Sequence, residues 1–564
     1  MVEAGVAPFV IAQSARDLQT IDWVIVLAYF AVVGVIAWWA SRAQDDSEDY
    51  FLAGRNVGWF VIGGSLFASN IGSEHLVGLA GSGATDGIIY AHYELHAWIL
   101  LVLGWVFLPF YVRSGVFTMP EFLEKRFGPG ARWIVTLVSL IAYILTKVAV
   151  TLFAAGIVFR VLFPDVEFLG ADPFWIGAIG TLLLTGLYTV AGGLRAVLYT
   201  DALQAFTLII GSIATIVIGL NMVGGPGELV AAVGAEQFSL WRPLSDPDFP
   251  WLGVLFGAPI VGLWYWCTDQ YIVQRTLAAR NITIGRRATI FASVLKITPV
   301  FLFIIPGMIA ATLKERGRID FGGANEAFPA LMLQVLPVGL RGLALAGLLA
   351  ALMSSLSSTF NSSATLFTVD IYKKWRPDAD ERRTVTVGRL ATGAVVVLGL
   401  LWIPFIPGLS DNLYEYLQNV QSYLAPPLIA IFGAGIFTRR INAAGAVASL
   451  ATGFVLGIGK LFAEVYATGL GDAAEDATGV QGLVVTYGSF NFLYTAIGLF
   501  IISVIVMYVA SVATEPPPEH KLEGLTFATT AKGEITYTRT DVIASAIVLT
   551  IILSLYVYFS GLFF

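Results

Sequence analysis

Four serines crowd five positions in the apolar run Ala350–Asp370, AALMSSLSSTFNSSATLFTVD: Ser354, Ser355, Ser357 and Ser358, with Thr359 next. At about 100° of turn per residue, Ala351, Ser354, Ser355 and Ser358 share one helical face, and Ser357 sits one turn on from Ser354. A membrane helix with an oxygen-lined face either packs tightly on a neighbour, its hydroxyls back-bonded to the preceding turn, or lines a polar site. Four serines so closely spaced, taken with the features below, favour a cation site.

A second stretch could supply the other half of such a site. GGSLFASNIGSEHLVGLAGSG, within 57–81, carries Ser69-Asn70, Gly72-Ser73 and Glu74-His75 at membrane depth. Gly and Asn weaken a helix, so an unwound hinge near Ala68–Gly72 is expected, freeing backbone carbonyls as ligands.

Ionisable groups inside spans are costly and usually functional. Glu94 and His96 fall in the third span, Lys147 in the fourth, Asp201 at the start of the sixth, Lys296 in the eighth and Lys460 near the end of the twelfth. For Lys460 the expectation is a side chain snorkelling to the interface. Lys147 could neutralise a carboxylate in the bundle, and Asp201 could serve a helix N-terminus. Lys296, set among Val294, Leu295, Ile297 and Pro299, is too deep for easy escape. With Asn70, His75, Glu94 and Gln418 it offers donors and acceptors of both kinds, as a polyhydroxylated solute requires. Trp264-Tyr265-Trp266 suits the apolar face of a sugar ring, and equally suits helix packing or an interfacial belt.

The elements that must position these groups are membrane spans. The chain of 564 residues is 57% hydrophobic and 13% charged, with mean hydropathy +0.79. That describes a polytopic all-α membrane protein rather than a string of soluble domains. The net charge of −7 says little about partners, and the single Cys267 excludes a disulfide framework or a cysteine metal site. Residues 1–20 show no cleavable signal pattern. Apolar runs fall at 21–40, 57–81, 88–112, 133–162, 173–191, 196–222, 250–274 and 286–312, then at 340–371, 384–406, 411–437, 442–467, 484–513 and 541–563: about fourteen helices.

Alternate loops collect the basic residues, including Arg113, Lys125, Arg126 and Arg132, then Lys373, Lys374, Arg376, Arg382 and Arg383, while Asp165, Glu167 and Asp172 or Asp472, Glu475 and Asp476 mark the others. Basic loops inside put both termini outside the cytoplasm. Residues 514–540 then form a polar, Pro-rich cytoplasmic linker, and 223–249 and 313–339 are outer loops with room for short surface helices. The expected division is an N-terminal segment and peripheral helix (1–45), two five-helix repeats (50–223 and 224–438) and peripheral helices (439–564). The seventh span, VLFGAPIVGLWYWCTDQYIVQ, is interrupted by Gly257, Pro259 and Gly262, five spans after the first irregular helix. Interrupted helices at matching positions of two halves point to an inverted-repeat secondary transporter with its site at the midplane.

The longer blocks carry a family resemblance. FASNIGSEHLVGLAG (67–81), VFTMPEFLEKRFG (116–128), LYTVAGGLRAVLYTD (187–201), WYWCTDQYIVQRTL (264–277), LMSSLSSTFNSSATLFTVDIY (352–372) and SYLAPP (422–427) resemble the sodium/glucose cotransporter branch of the solute:sodium symporters. The resemblance implies a LeuT-like core of inverted five-helix repeats with its first and sixth helices broken, and sodium as the coupling ion. It implies a sodium site at the carbonyls of Ala68 and Ile71 with Ala351, Ser354 and Ser355. A second site, present in two-sodium members, maps to Asp201, Ser354, Ser357 and Ser358. The sugar site maps to Asn70, His75, Glu94, Trp266, Lys296 and Gln418, the inner gate to Tyr265 and the outer gate to Tyr93 and Tyr414.

Three positions depart from the human sugar carriers: Glu74 stands where they have Gly, His96 where they have Asn, and Gln421 where they have a small hydroxyl residue. The extra carboxylate and imidazole open a route for a proton to modulate transport. The resemblance thus implies sodium-coupled uptake of a glucose- or galactose-like hexose across a plasma membrane, with high Ala and Gly pointing to a bacterial inner membrane. The rival solutes are a sugar acid, inositol, an amino acid or a nucleoside. A passive channel or sensor would share the scaffold, while an intramembrane enzyme built on His75 with Glu74 or Glu94 lacks any supporting motif. Partners are the sugar, sodium and the lipid bilayer; no nucleic acid is expected.

Overall fold

A computed structural model of the protein describes residues 18–42, 46–72, 74–166, 170, 172–402, 413–530 and 537–563. Ser73, Glu167, residues 1–17, the span ends at 403–406 and 411–412, and linker residues 531–536 lie outside the described residues. The described residues form helices, loops and two isolated bridges, with no strand among them.

Eleven of the described helices are long and apolar enough to cross a bilayer, and the pair Trp251–Cys267 and Gln270–Leu277, bent by 44°, makes a twelfth span. The remaining two of the expected fourteen are interrupted or short. One consists of Trp59–Asn70, Glu74–Leu79 and Ala80–Thr85; the other is Pro173–Leu187. The latter is separated from Gly193–Val223 at Gly193, where φ is +53°. A side chain there would be strained, and its Cβ would lie 2.7 Å from the Tyr50 carbonyl oxygen, so the helix turns where glycine permits it.

The helix Leu340–Thr365, the serine helix, is the buried axis of the bundle. Its first half packs by small residues: a Cβ on Gly347 would lie 3.0 Å from Leu208 Cα, and one on Gly211 would lie 2.8 Å from Ala344 Cα. Without a hydrophobic drive between helices in lipid, such close backbone approach is what holds them. The serines begin where this seam ends. The packing and polar readings of the helix therefore both hold, on successive turns.

Both broken spans sit beside it. The helix Trp59–Asn70 ends at Ile71, whose ψ of 84° leaves the helical region. In the seventh span the expected interruption at Gly257 separates the helices Trp251–Phe256 and Ala258–Cys267, while the larger break, the 44° bend, falls at Thr268-Asp269, which the sequence expectation did not single out. Pro259 opens the helix Ala258–Cys267, where its missing N–H costs no bond. Thr268 Oγ1 donates to the Trp264 carbonyl at 2.9 Å, ending that helix. Asp269 Oδ1 then accepts from Tyr271 N–H at 3.2 Å, capping the next one.

Lys460 also departs from expectation. It does not snorkel: it is 1% exposed, its Nζ donating to the Gly488 carbonyl at 2.5 Å and lying 3.4 Å from Glu464 and 5.0 Å from the Tyr423 ring centre. A carboxylate one turn away removes the reason to seek water. The two long loops do carry short helices, Pro226–Val233 and Ala327–Val335, but the second is buried in the bundle at all its residues except Gln334 rather than lying on the surface. Phe527 in the 514–540 segment stacks on Phe437, ring centres 5.2 Å apart, which docks the stretch around Phe527 on the bundle.

Candidate functional site

The helix break frees two carbonyls. In a continuous helix the Ala68 and Ile71 oxygens would accept from Gly72 and His75. Here Gly72 N–H donates to Asn70 O at 3.0 Å and His75 N–H to Gly72 O at 3.1 Å. Beside the break, Ser355 is buried, and its hydroxyl meets that of Tyr271. A Cβ on Gly72 would lie only 2.2 Å from Ser355 Oγ. Of the expected first sodium set, Ala68, Ile71, Ala351, Ser354 and Ser355, the structure thus places Ser355 against the broken helix at Gly72, while Ser354 Oγ is turned to Asp201 Oδ1 at 2.7 Å.

Gly72→Ala is expected to raise the sodium concentration needed for half-maximal uptake roughly tenfold or more, since overpacking at about 1–3 kcal/mol would fall on the junction itself. Sodium titration of uptake checks this; an unchanged half-saturation would contradict it.

Asp201 is interior to its helix and fully buried, so the helix N-terminal role open to it from sequence is replaced by a side-chain network. Its Oδ2 accepts from Ser65 Oγ at 2.7 Å and Ser69 Oγ at 3.1 Å. Arg275 Nη2 lies 3.4 Å from the same oxygen and donates to Ser358 Oγ, while Arg275 Nε donates to Ser65 Oγ at 3.0 Å. Of the proposed second sodium set, Asp201, Ser354 and Ser358 are joined. Ser357 Oγ is back-bonded to the Ser354 carbonyl at 3.0 Å instead. A guanidinium therefore already stands among these oxygens. Arg275 is not among the site residues expected from sequence; its signal is its place in WYWCTDQYIVQRTL, one turn after Tyr271 on the buried helix Gln270–Leu277.

A small cavity of about 40 Å³ adjoins the break and is lined by Asn70, His75, Tyr93, Tyr265, Trp266, Lys296, Tyr414 and Gln418, all expected from sequence. Glu74, His96, Lys147 and Gln421 complete much of its polar lining. Glu94 is placed behind the wall, fully buried. Lys296 Nζ donates to its Oε2 at 2.6 Å, Tyr414 OH donates to its Oε1 at 3.1 Å, and His75 Nε2 lies 3.2 Å from Oε1. One carboxylate thereby orients three groups that line the cavity.

The aromatic residues form two clusters. Tyr93 and Tyr414 pack with ring centres 5.9 Å apart, and Tyr90 joins Tyr414 at 5.6 Å. Tyr265 packs edge-on against Trp266 at 5.1 Å, and Asn70 Nδ2 donates to its hydroxyl at 3.4 Å. Lys147 Nζ lies 4.5 Å and 4.2 Å from the ring centres of Tyr265 and Tyr271. It is a member of the cavity wall as well as a counter-charge within electrostatic reach of Asp269 and Glu74.

Residues 50–453 match the family model described as the sodium:solute symporter family. The chain belongs to the sodium:solute symporter family. Among similar proteins, sodium/glucose cotransporter 1 of Oryctolagus cuniculus is 39% identical over 547 residues, 89% of this chain and 80% of that protein. The sodium/myo-inositol cotransporter of Homo sapiens is 39% identical over 557 residues, 90% of this chain and 76% of that protein. A solved Na+-coupled sialic acid symporter, in a substrate-bound outward-open state, matches with a TM-score of 0.72 over 89% of this chain and 99% of that one, at 23% identity, a likeness of fold. This symporter is thus an all-α, polytopic membrane protein with the LeuT-like core and two broken core helices, and sodium is its coupling ion.

Proposed function

We propose that this symporter imports a hexose or a related polyol, driven by sodium bound where the broken helix meets the serine helix. The observation that carries the reading is the cavity itself. Asn70, Gln418, His75 and Lys296, the last held by Glu94 from behind the wall, present donors and acceptors beside the flat faces of Trp266 and Tyr265. Neutral polyols need both kinds of hydrogen bond plus an apolar platform. Among the cationic side chains lining the cavity, Lys296 is held by Glu94 and Lys147 lies over aromatic rings, which does not favour an anionic solute. The similar proteins include carriers named for glucose and for myo-inositol, so a cyclitol is within the same chemistry.

In this reading sodium enters from outside, joins the carbonyls of Ala68 and Ile71 to Ser355, and stabilises the outward-open state. The sugar then binds at the midplane, the Tyr93 and Tyr414 cluster closes over it, and loss of sodium inward releases it past Tyr265. The two five-helix repeats at 50–223 and 224–438 would rock against each other, with both termini outside a bacterial plasma membrane. One sodium ion moving down about 100 mV supplies about 2.3 kcal/mol, and a tenfold gradient adds about 1.4 kcal/mol. Together they support a sugar gradient of a few hundredfold, on the order of tenfold per 1.4 kcal/mol. A second sodium at Asp201 and Ser358 requires Arg275 to move aside.

Uptake of labelled glucose, galactose, myo-inositol and a sugar acid into proteoliposomes, with and without a sodium gradient, tests this. Sodium-dependent accumulation of a neutral polyol is expected, with Ser355→Ala raising half-saturating sodium. Accumulation of the sugar acid alone, or uptake indifferent to sodium in folded protein, would overturn the reading.

A further inference from the structure

Glu74 stands at the boundary between two sites. It opens the π-helical segment Glu74–Leu79 immediately beyond the break, is 8% exposed and lines the substrate cavity. A methyl group placed on Gly72 would lie 2.2 Å from Ser355 Oγ and 2.4 Å from Glu74 Oε2. The serine hydroxyl and the carboxylate therefore converge on the same side of Gly72, with the freed carbonyl of Ile71 next in the chain. The other carboxylate oxygen, Oε1, lies 4.0 Å from His75 Nδ1. That imidazole reaches Glu94 at 3.2 Å through Nε2, and Glu94 holds Lys296. A short run of charged and polar groups thus leads from the cation junction to the substrate wall.

Buried charge crowds the same region: four carboxylates (Glu74, Glu94, Asp201 and Asp269) and three cations (Lys147, Lys296 and Arg275), each less than a tenth exposed, surround the cavity and the serine stripe, where buried charge must be matched.

We propose that the Glu74 carboxylate belongs to the cation site as well as to the substrate cavity, supplying the negative charge that holds one sodium ion and through which that ion raises sugar affinity. The inference rests on the sodium site read above at Ala68, Ile71 and Ser355. It gives coupling a physical path: sodium beside Ser355 draws on Glu74, which sets the orientation of His75 and hence of Glu94 and Lys296. By reciprocity, sugar in the cavity raises sodium affinity by the same factor.

The test uses the full chain in proteoliposomes and the neutral polyol that the wild-type protein accumulates. Glu74→Gln, which keeps shape and loses charge, is expected to raise half-saturating sodium roughly tenfold, within the span usual for site-to-site coupling. The ratio of half-saturating sugar at low and at high sodium should fall toward one, and Glu74→Asp should retain most of the wild-type response. Unchanged half-saturating sodium in Glu74→Gln overturns the inference. So does a sugar affinity weakened equally at every sodium concentration, which would make Glu74 a sugar contact alone. If Glu74→Gln does not transport, sodium titration of the purified protein's tryptophan fluorescence decides, a wild-type isotherm counting against the inference. Ser355→Ala, assayed in parallel, separates the two readings. Loss of sodium affinity there with none in Glu74→Gln discards the role of Glu74, whereas no change in either discards the site itself.

Discussion

Arg275→Ala is expected to destabilise the symporter by about 3–5 kcal/mol, the cost of leaving a buried charge without its partner. Arg275 and Asp201 are 1% and 0% exposed at the side chain, and the guanidinium is the cation nearest the carboxylate, at 3.4 Å. Serine hydroxyls at Ser65, Ser69 and Ser354 would remain as donors, but they cannot supply charge. The loss should appear as a lower unfolding temperature in detergent and as lost uptake. Asp201→Asn in the same chain removes the stranded charge, so the double variant should be more stable than the sum of single effects predicts. Groups in one network show such coupling at roughly 0.5–3 kcal/mol. Strict additivity would mean that the two residues do not act as a pair.

The same variants bear on the second cation set. If a sodium ion shares Asp201, a high sodium concentration should partly rescue Arg275→Ala by supplying the missing positive charge. Rescue by sodium but not by a bulky monovalent cation would identify the cluster as able to hold an ion. An unaltered unfolding temperature across sodium concentrations would confine it to a structural role.

Lys296→Ala should have the largest effect on the substrate. Truncating one member of a buried, hydrogen-bonded charge pair costs about 2–5 kcal/mol, or roughly thirtyfold to several thousandfold in half-saturating sugar at tenfold per 1.4 kcal/mol. The cause is Glu94, which is fully buried and loses the donor at 2.6 Å. It then competes for Tyr414 and His75, both in the cavity wall. Glu94→Gln keeps an acceptor and should cost less. Sugar titrations at saturating sodium measure both; unchanged sugar affinity in Lys296→Ala would remove the pair from substrate recognition.

Much of the fold was legible because its signals are local. Span positions follow from runs of apolar residues, since a bilayer imposes a length on each helix. The hinge after Asn70 was legible because Asn and Gly weaken helices at a known place, and the serine face because a helix has a fixed period. In the seventh span the interruption at Gly257 was legible and the larger bend was not. Gly257 and Pro259 are strong breakers and mark the start of the helix Ala258–Cys267, whereas Thr268 with Asp269 ends that helix and caps the next through side-chain bonds that no strong breaker announces.

What sequence alone determined is therefore the inventory: a polytopic helical bundle, two interrupted spans, a stripe of hydroxyls, and a set of ionisable groups that a membrane would not tolerate idle. Only the tertiary structure decided how those charges are matched. Glu94 meets Lys296 across 202 residues, Asp201 meets Arg275 across 74, and Lys460 stays inside because Glu464 is beside it. Residue type states that a buried charge needs a partner; which partner it finds depends on helix crossings that no local pattern encodes. The serine stripe shows both halves of this. Its face follows from helical period, but the sorting of Ser355 to the broken helix and of Ser354 and Ser358 to Asp201 and Arg275 follows from which neighbour each turn meets.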